Sequence, residues 1–328
     1  MEGNLEYTLQ NEKNIQHVID ARPELYGFYS FISDLSRTTA YNYLNKINGF
    51  LNYANKPPEE LTIDDFSGFL LNKRMTENGT ISTSSYRIQV YQALKKYGKY
   101  LVVKGVLPCN PMDSIDRPAS KESQTTIEKR EKGYLSKSEI KTYISCVKNG
   151  VGSSLSQTMQ KRWRERDIAI IYIFLSTGIR CSALYKLDVD SIDFDNKVLK
   201  VTDKEDKVNI HHLSDEVLKI ISDWLEKREE LLGGKQEEAL FISNRLNRMC
   251  DKAINNVVRK YAKEIKGKNI SAHKLRATYG TQLYDETKDI YFVQKCMNHS
   301  SPQTTELYIR GQENCTLEAS EIMNNLLK

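Results

Sequence analysis

A polar stretch in the first half of the chain constrains the fold most. Residues 117–133, RPASKESQTTIEKREKG, hold almost nothing apolar, so they have no face to bury and read as a linker. The stretch divides the 328 residues into two blocks, each long enough to enclose its own core. The expected division is an N-terminal extension over 1–24, a helical domain over 25–116, the linker over 117–133 and a second domain over 134–328.

The first block reads as all-helical. From Ser36, SRTTAYNYLNKINGFLNYA begins with hydroxyl residues suited to capping and sets Tyr43, Ile47, Phe50 and Leu51 at helical spacing. Pro57 and Pro58 stop it, and TIDDFSGFLLNKRM restarts with Thr62 at an N-cap position. After the turn signal ENGT, ISTSSYRIQVYQALKKYGKYLVVKG reads as one amphipathic helix, Ser82–Lys104, closed by Gly105. About four helices are expected. The segment from Arg74 to Lys104 carries Arg74, Arg87, Lys95, Lys96, Lys99 and Lys104 against one acid, Glu77. A basic helix face is most often simply solvated, and the whole chain, with 48 Lys and Arg against 43 Asp and Glu, is only +5. That balance permits DNA binding without requiring it.

The second block opens at YLSKSEIKTYISCV, where Ser136 and Glu139 fit a capping box, and helix is expected through Leu175. KVLKVT and KVNIHHL then alternate around DKED, which reads as a two-stranded hairpin. Helices resume at SDEVLKIISDWLEKREELL and run nearly to the end. The fold class is thus mostly α, with a small antiparallel β-hairpin in the second domain. The most apolar run, IAIIYIFL, has eight residues, far fewer than the ~20 that span a bilayer. The start, MEGNLEYTLQNEKN, carries no secretory signal. Cys109, Cys146, Cys181, Cys250, Cys296 and Cys315 form no CxxC pair, and no His stands at metal-ligand spacing. Reduced thiols, no structural zinc and a cytosolic location are expected.

Chemistry concentrates between His273 and Tyr308. His273 and Arg276 stand three apart in AHKLRATYGTQL and share a helix face, with Ser271 placed to cap that helix. His299 follows in MNHSSPQTTELYIR, with Tyr308 nine residues later, and Arg180 lies upstream in STGIRCSALYKL. Each residue alone has a duller reading: a helix-end arginine, a satisfied histidine, one tyrosine of nineteen. Together they suit one phosphodiester. Planar arginine forks match the non-bridging oxygens of a phosphoryl transition state, and a phenol is a nucleophile that conserves the bond energy.

These boxes resemble the tyrosine recombinase (phage integrase) family, which includes Xer-type enzymes. LSTGIRCSALYKLDVDSID resembles its first box, whose arginine falls on Arg180, and HKLRATYGTQLYDETKDIYFVQKCMNHSSPQTTELYI resembles its second. The resemblance places the family's remaining site residues on His273, Arg276, His299 and Tyr308, the nucleophile. The family's lysine, in a β-hairpin turn, falls on Lys204, with Lys207 as competitor. The first block is similar to the family's core-binding domain, so coverage is roughly residues 25–328, within a DNA breaking-rejoining fold. Three positions depart: Ala183 stands where an acid usually supports the first arginine, Asn298 where glycine is common, and Ala277 where His often follows Arg276.

The resemblance implies site-specific recombination of double-stranded DNA through a 3′-phosphotyrosyl intermediate and a Holliday junction, with no metal or cofactor. It implies Lys204 as general acid, His273 as base, and Arg180, Arg276 and His299 as transition-state donors. Two domains closing on a duplex would present the helix Ser82–Lys104, with Arg87, Lys95, Lys96 and Lys99 as DNA contacts beside Lys207. The tail TLEASEIMNNLLK sets Leu317, Ile322, Met323 and Leu326 near one helical face, which implies docking in trans within a homotetramer on two DNA sites. An accessory directionality factor is a further possible partner. An integrase or transposase of a mobile element and an Xer-like dimer resolvase both fit. So, more remotely, do a type IB topoisomerase and a DNA-binding protein that no longer cuts.

Overall fold

The computed structural model describes residues 2–75, 81–119, 133–202, 208–265 and 267–298, with side chains from Glu12 onward. The chain divides into two compact units, 1–126 and 127–328. Residues 120–132 of the stretch read as a linker lie outside the described residues.

The first unit contains α1 (Glu2–Ala21), α2 (Leu25–Phe31), α3 (Arg37–Ala54), α4 (Ile63–Asn72) and α5 (Ser84–Val103). The stretch set apart in the sequence as an extension contributes three side chains to this unit's core. Ile15, Val18 and Ile19 are buried with Leu44, Ile47 and Phe50. These three lie in the last two turns of a helix whose sequence is mostly polar, which is why their stripe is easily overlooked. Ser36 caps α3, its Oγ accepting from Thr39 N at 3.3 Å. At the start of α4 the Asp65 carboxylate accepts from Thr62 N at 2.8 Å and from Thr62 Oγ1 at 2.9 Å. Past the end of α5, Gly105 adopts φ +71°, the left-handed stop that a glycine provides. Packed rings hold the centre, with Phe50 and Phe66 at 4.6 Å and Phe28 edge-on to Tyr97 at 5.1 Å.

The second unit begins with α6 (Lys137–Asn149), α7 (Ser154–Lys161) and α8 (Arg164–Thr177). One continuous helix was expected here. Gly150 and Gly152, at φ +80° and +84°, separate α6 from α7, and a turn at Arg162 and Trp163 separates α7 from α8. The capping box does form: Ser136 Oγ accepts from Glu139 N at 3.3 Å, and Glu139 Oε2 accepts from Ser136 N at 2.8 Å. Helix α8 is the central element, burying Ala169, Ile170, Ile171, Ile173 and Phe174. After it come α9 (Cys181–Leu184), β1 (Ile192–Asp193), β2 (Val198–Thr202) and β3 (Val208–His212). Then follow α10 (Asp215–Leu232), α11 (Asp251–Ala262), α12 (Ala272–Thr287) and α13 (Ile290–Cys296). The strands form one antiparallel sheet in the order β1-β2-β3, with β2 and β3 registered from Val198↔His212 to Thr202↔Val208. The hairpin thus gains a third strand, whose two residues are too few to show alternation. The class is as expected, mostly helical with one small antiparallel sheet among the described residues.

A buried charge cluster joins α8 to α11. Asp167 is fully buried, with its carboxylate accepting from Arg166 at 2.9 and 3.0 Å, from Lys260 Nζ at 2.7 Å and from Tyr261 Oη at 2.8 Å. Arg166 also donates to Ile242 O at 3.0 Å and stacks its guanidinium over Trp163. Removing the carboxylate would strand a buried arginine. Asp167→Ala is therefore expected to destabilise the second unit by about 3–5 kcal/mol, measured by denaturant unfolding.

Candidate active site

The site is organised by α12. Its N-cap residue is Ser271, as the sequence suggested, but the Ser271 side chain makes no capping hydrogen bond. Instead Asn255, on α11, offers Oδ1 to the amide of Ala272 at 3.1 Å. His273 and Arg276 then lie one turn apart. Arg276 is only 5% exposed, donating from Nη1 to Gly178 O at 2.6 Å and from Nη2 to Met297 O at 2.5 Å.

Those two carbonyls belong to the segments that carry the other candidates. Gly178 ends α8 at φ +62°, and a Cβ there would lie 2.2 Å from the Tyr279 ring. Backbone conformation and ring contact both demand glycine at this point in STGIR. Two residues on, half-buried Arg180 is extended at φ −72°, ψ 149° and forms the N-cap of α9. Met297, buried beside Val293, packs with Tyr279, Leu283 and Tyr284. Asn298 follows at φ +48°. Asn tolerates the left-handed region better than most side-chain-bearing residues, which suits Asn298 to this position.

His273 sits within the field of the arginines. Desolvation first, then the charges of Lys274, Arg276 and Arg180, hold its pKa below the ordinary 6.5. Its ring is neutral at neutral pH and able to take a proton. Tyr279, beside Arg276, is in the opposite condition. Burial, Cys296 and their hydrogen bond push its phenol up to about 12, which makes it a poor nucleophile. The structure therefore brings Arg180, His273 and Arg276 together. His299 and Tyr308 lie outside the described residues, as do Lys204 and Lys207, which fall in sequence between β2 and β3.

The sequence profile of the phage integrase family matches residues 134–314, over half of the chain. The chain belongs to that family. It is 30% identical over 265 residues to tyrosine recombinase XerC of Caldanaerobacter subterraneus subsp. tengcongensis, covering 80% of this chain and 68% of that one. Against tyrosine recombinase XerS of Streptococcus uberis it is 28% identical over 314 residues, covering 83% and 86%. In fold it matches the XerH recombinase bound to its difH substrate before cleavage, with TM-score 0.66, 19% identity and coverage of 88% and 80%. A lambda integrase dimer on a COC′ core site gives TM-score 0.62 at 16% identity, covering 88% and 77%. The chain is a tyrosine-type site-specific recombinase.

In this recombinase the basic residues of α5 do not form one stripe. Lys95 and Lys99 are exposed, and Lys95 pairs with Asp113 at 3.3 Å. Lys96 is half-buried, its ammonium 5.4 Å from the centre of the Phe31 ring. Arg87 lies toward the core side, with a buried Nε that finds no partner among the described residues. Sequence reasoning also missed Gly178, Met297 and Asn255, which act through backbone atoms or as a single amide on another helix. Only Gly178 left a signal, as the glycine of STGIR. Ala183, where the family resemblance leads us to expect an acid, is buried at 6% exposure with its amide donating to Arg180 O at 3.0 Å.

Two outcomes follow from this geometry. NMR titration should place the His273 pKa below 6.5 in the free protein and raise it when a DNA phosphate neutralises the local field. Because the unfolded chain binds more protons in that window, His273 weakens the fold as pH falls from 6.5 toward its folded value, and no further below it. Gly178→Ala should cost at least ~1–2 kcal/mol of stability from left-handed strain alone, before the clash with Tyr279 is counted.

Proposed function

We propose that Tyr308 attacks the scissile phosphate, forming a 3′-phosphotyrosyl bond as the P–O5′ bond breaks. His273 takes the phenolic proton, and Lys204 supplies one to the departing 5′ oxygen. Arg180, Arg276 and His299 donate to the non-bridging oxygens, where charge grows in the transition state. In the second step a partner strand's 5′-hydroxyl loses its proton to Lys204 and attacks phosphorus. The tyrosine leaves and regains its proton from His273. Two such exchanges pass through a Holliday junction. The observation that best supports this reading is the placement of Arg276, bonded to the carbonyls two residues before both Arg180 and His299.

DNA is the partner this chemistry requires, and related recombinases are solved on it. The working unit in our reading is a homotetramer on two DNA sites, with the tail around Leu317, Ile322, Met323 and Leu326 docked in trans. Lys95, Lys96 and Lys99 contact DNA from α5, with Arg87 and Lys207 as further contacts. The primary role is integration or transposition of a mobile element, with an accessory factor setting direction. Xer-named relatives at 30% and 28% identity favour a second role, Xer-type recombination at a chromosomal or plasmid site. Genes and repeats flanking the locus separate the two.

With nicked duplexes from that flanking DNA in EDTA, the wild-type chain should form an SDS-resistant adduct. Tyr308→Phe should bind the same duplex without forming any. Arg180→Ala or Arg276→Ala should cost about 3–4 kcal/mol of transition-state stabilisation each, read as a fall in single-turnover cleavage. Lys204→Ala should recover on a bridging 5′-phosphorothiolate, whose leaving group needs no acid, and absence of recovery would point to Lys207.

A further inference from the structure

Hydrogen bonds with three residues meet at a side chain that none of the family boxes contains. Asn255 stands one turn into α11 and is half-buried. Its Oδ1 accepts from Ala272 N at 3.1 Å, and its Nδ2 donates to Cys181 Sγ at 3.4 Å and to Asp251 Oδ1 at 2.7 Å. The amide of Ala272 can only donate, which fixes which end of the Asn255 amide faces it. The bond to Asp251, four residues back on the same helix, holds the rotamer.

The neighbours matter more than the bonds themselves. Cys181 directly follows Arg180, and Ala272 directly precedes His273. One side chain is thus tied to the backbone or side chain adjacent to two groups that address the same phosphate. The Ser271 side chain makes no capping bond to α12. A third helix instead reaches both segments through a single primary amide, which has a donor and an acceptor to give.

We propose that Asn255 is the positioning residue that sets the spacing between Arg180 and the His273–Arg276 helix. This rests on the assignment of Arg180, His273 and Arg276 to the reacting phosphate. Misplacement of about 1 Å costs on the order of 10²-fold in rate, so loss of Asn255 should act on cleavage far more than on DNA affinity.

The test has two arms. Hydrogen exchange on the DNA-free chain compares wild type with Asn255→Ala. The expected result is faster exchange at Ala272 and at Ala183, Leu184 and Tyr185 together, with the α8 core amides unchanged. Asn255→Asp, which keeps an acceptor for Ala272, should restore protection on that side. Unchanged exchange at both segments, or equal loosening of the whole unit, would overturn the proposal. The second arm uses the nicked flanking duplexes and reads single-turnover adduct formation beside DNA affinity. Asn255→Ala should cleave at least about tenfold slower with affinity within about threefold of wild type. Equal cleavage rates, or cleavage and affinity falling in step, would also overturn it. A wild-type chain that forms no adduct counts against strand cleavage by Tyr308, and the exchange arm still decides the role of Asn255.

Discussion

The guanidinium of Arg276 is the interaction on which the catalytic unit depends. A charge that is 5% exposed is costly to bury unless every direction is met by a partner. Here the end of α8 and the end of α13 each turn a backbone carbonyl toward it, at Gly178 and Met297. Both carbonyls are neutral, so in these bonds the positive charge is held without being cancelled. A planar fork bonds two carbonyls from separate segments in one plane, which the compact ammonium of lysine does not do. Satisfying Arg276 therefore fixes α12 against the segments that lead into Arg180 and toward His299.

Much of the rest follows from that placement. The left-handed glycine at 178 lets the chain turn from α8 into the extended Arg180 while exposing its carbonyl to Arg276. The left-handed Asn298 does the equivalent after Met297. His273, one turn before Arg276, has its pKa held down by burial first and then by the field of three cations. Stability of the scaffold rests elsewhere, on the Asp167 cluster between α8 and α11 and on the apolar faces of α8. Fold stability and site chemistry are thus carried by different charges.

Sequence showed most clearly what side chains do over short range. The Ser136–Glu139 capping box, the Gly105 stop and the β2–β3 hairpin all follow from local chemistry, and all are present. Spacing in the sequence singled out Arg180, His273, Arg276, His299 and Tyr308, and the structure brings the first three of these together. What escaped depends on distance in sequence. The Arg276 clamp uses backbone oxygens, which every residue has, and Asn255 acts across 17 positions on Ala272 and across 74 on Cys181. The break between α6 and α7 was written in Gly150 and Gly152, whereas the turn at Arg162 and Trp163 before α8 carries no glycine or proline to mark it. The core role of α1 was hidden by its polar first turns.

The most direct measurement is the identity of the residue that holds the DNA. An adduct formed on a nicked duplex in EDTA can be digested with trypsin and nuclease, and the nucleotide-bearing peptide sequenced by mass spectrometry. The expected result is a single modified peptide from Cys296 to Arg310, with the nucleotide on Tyr308. A nucleotide on Tyr279 or on any other residue would contradict a site built around Arg276 with Tyr308 as its nucleophile.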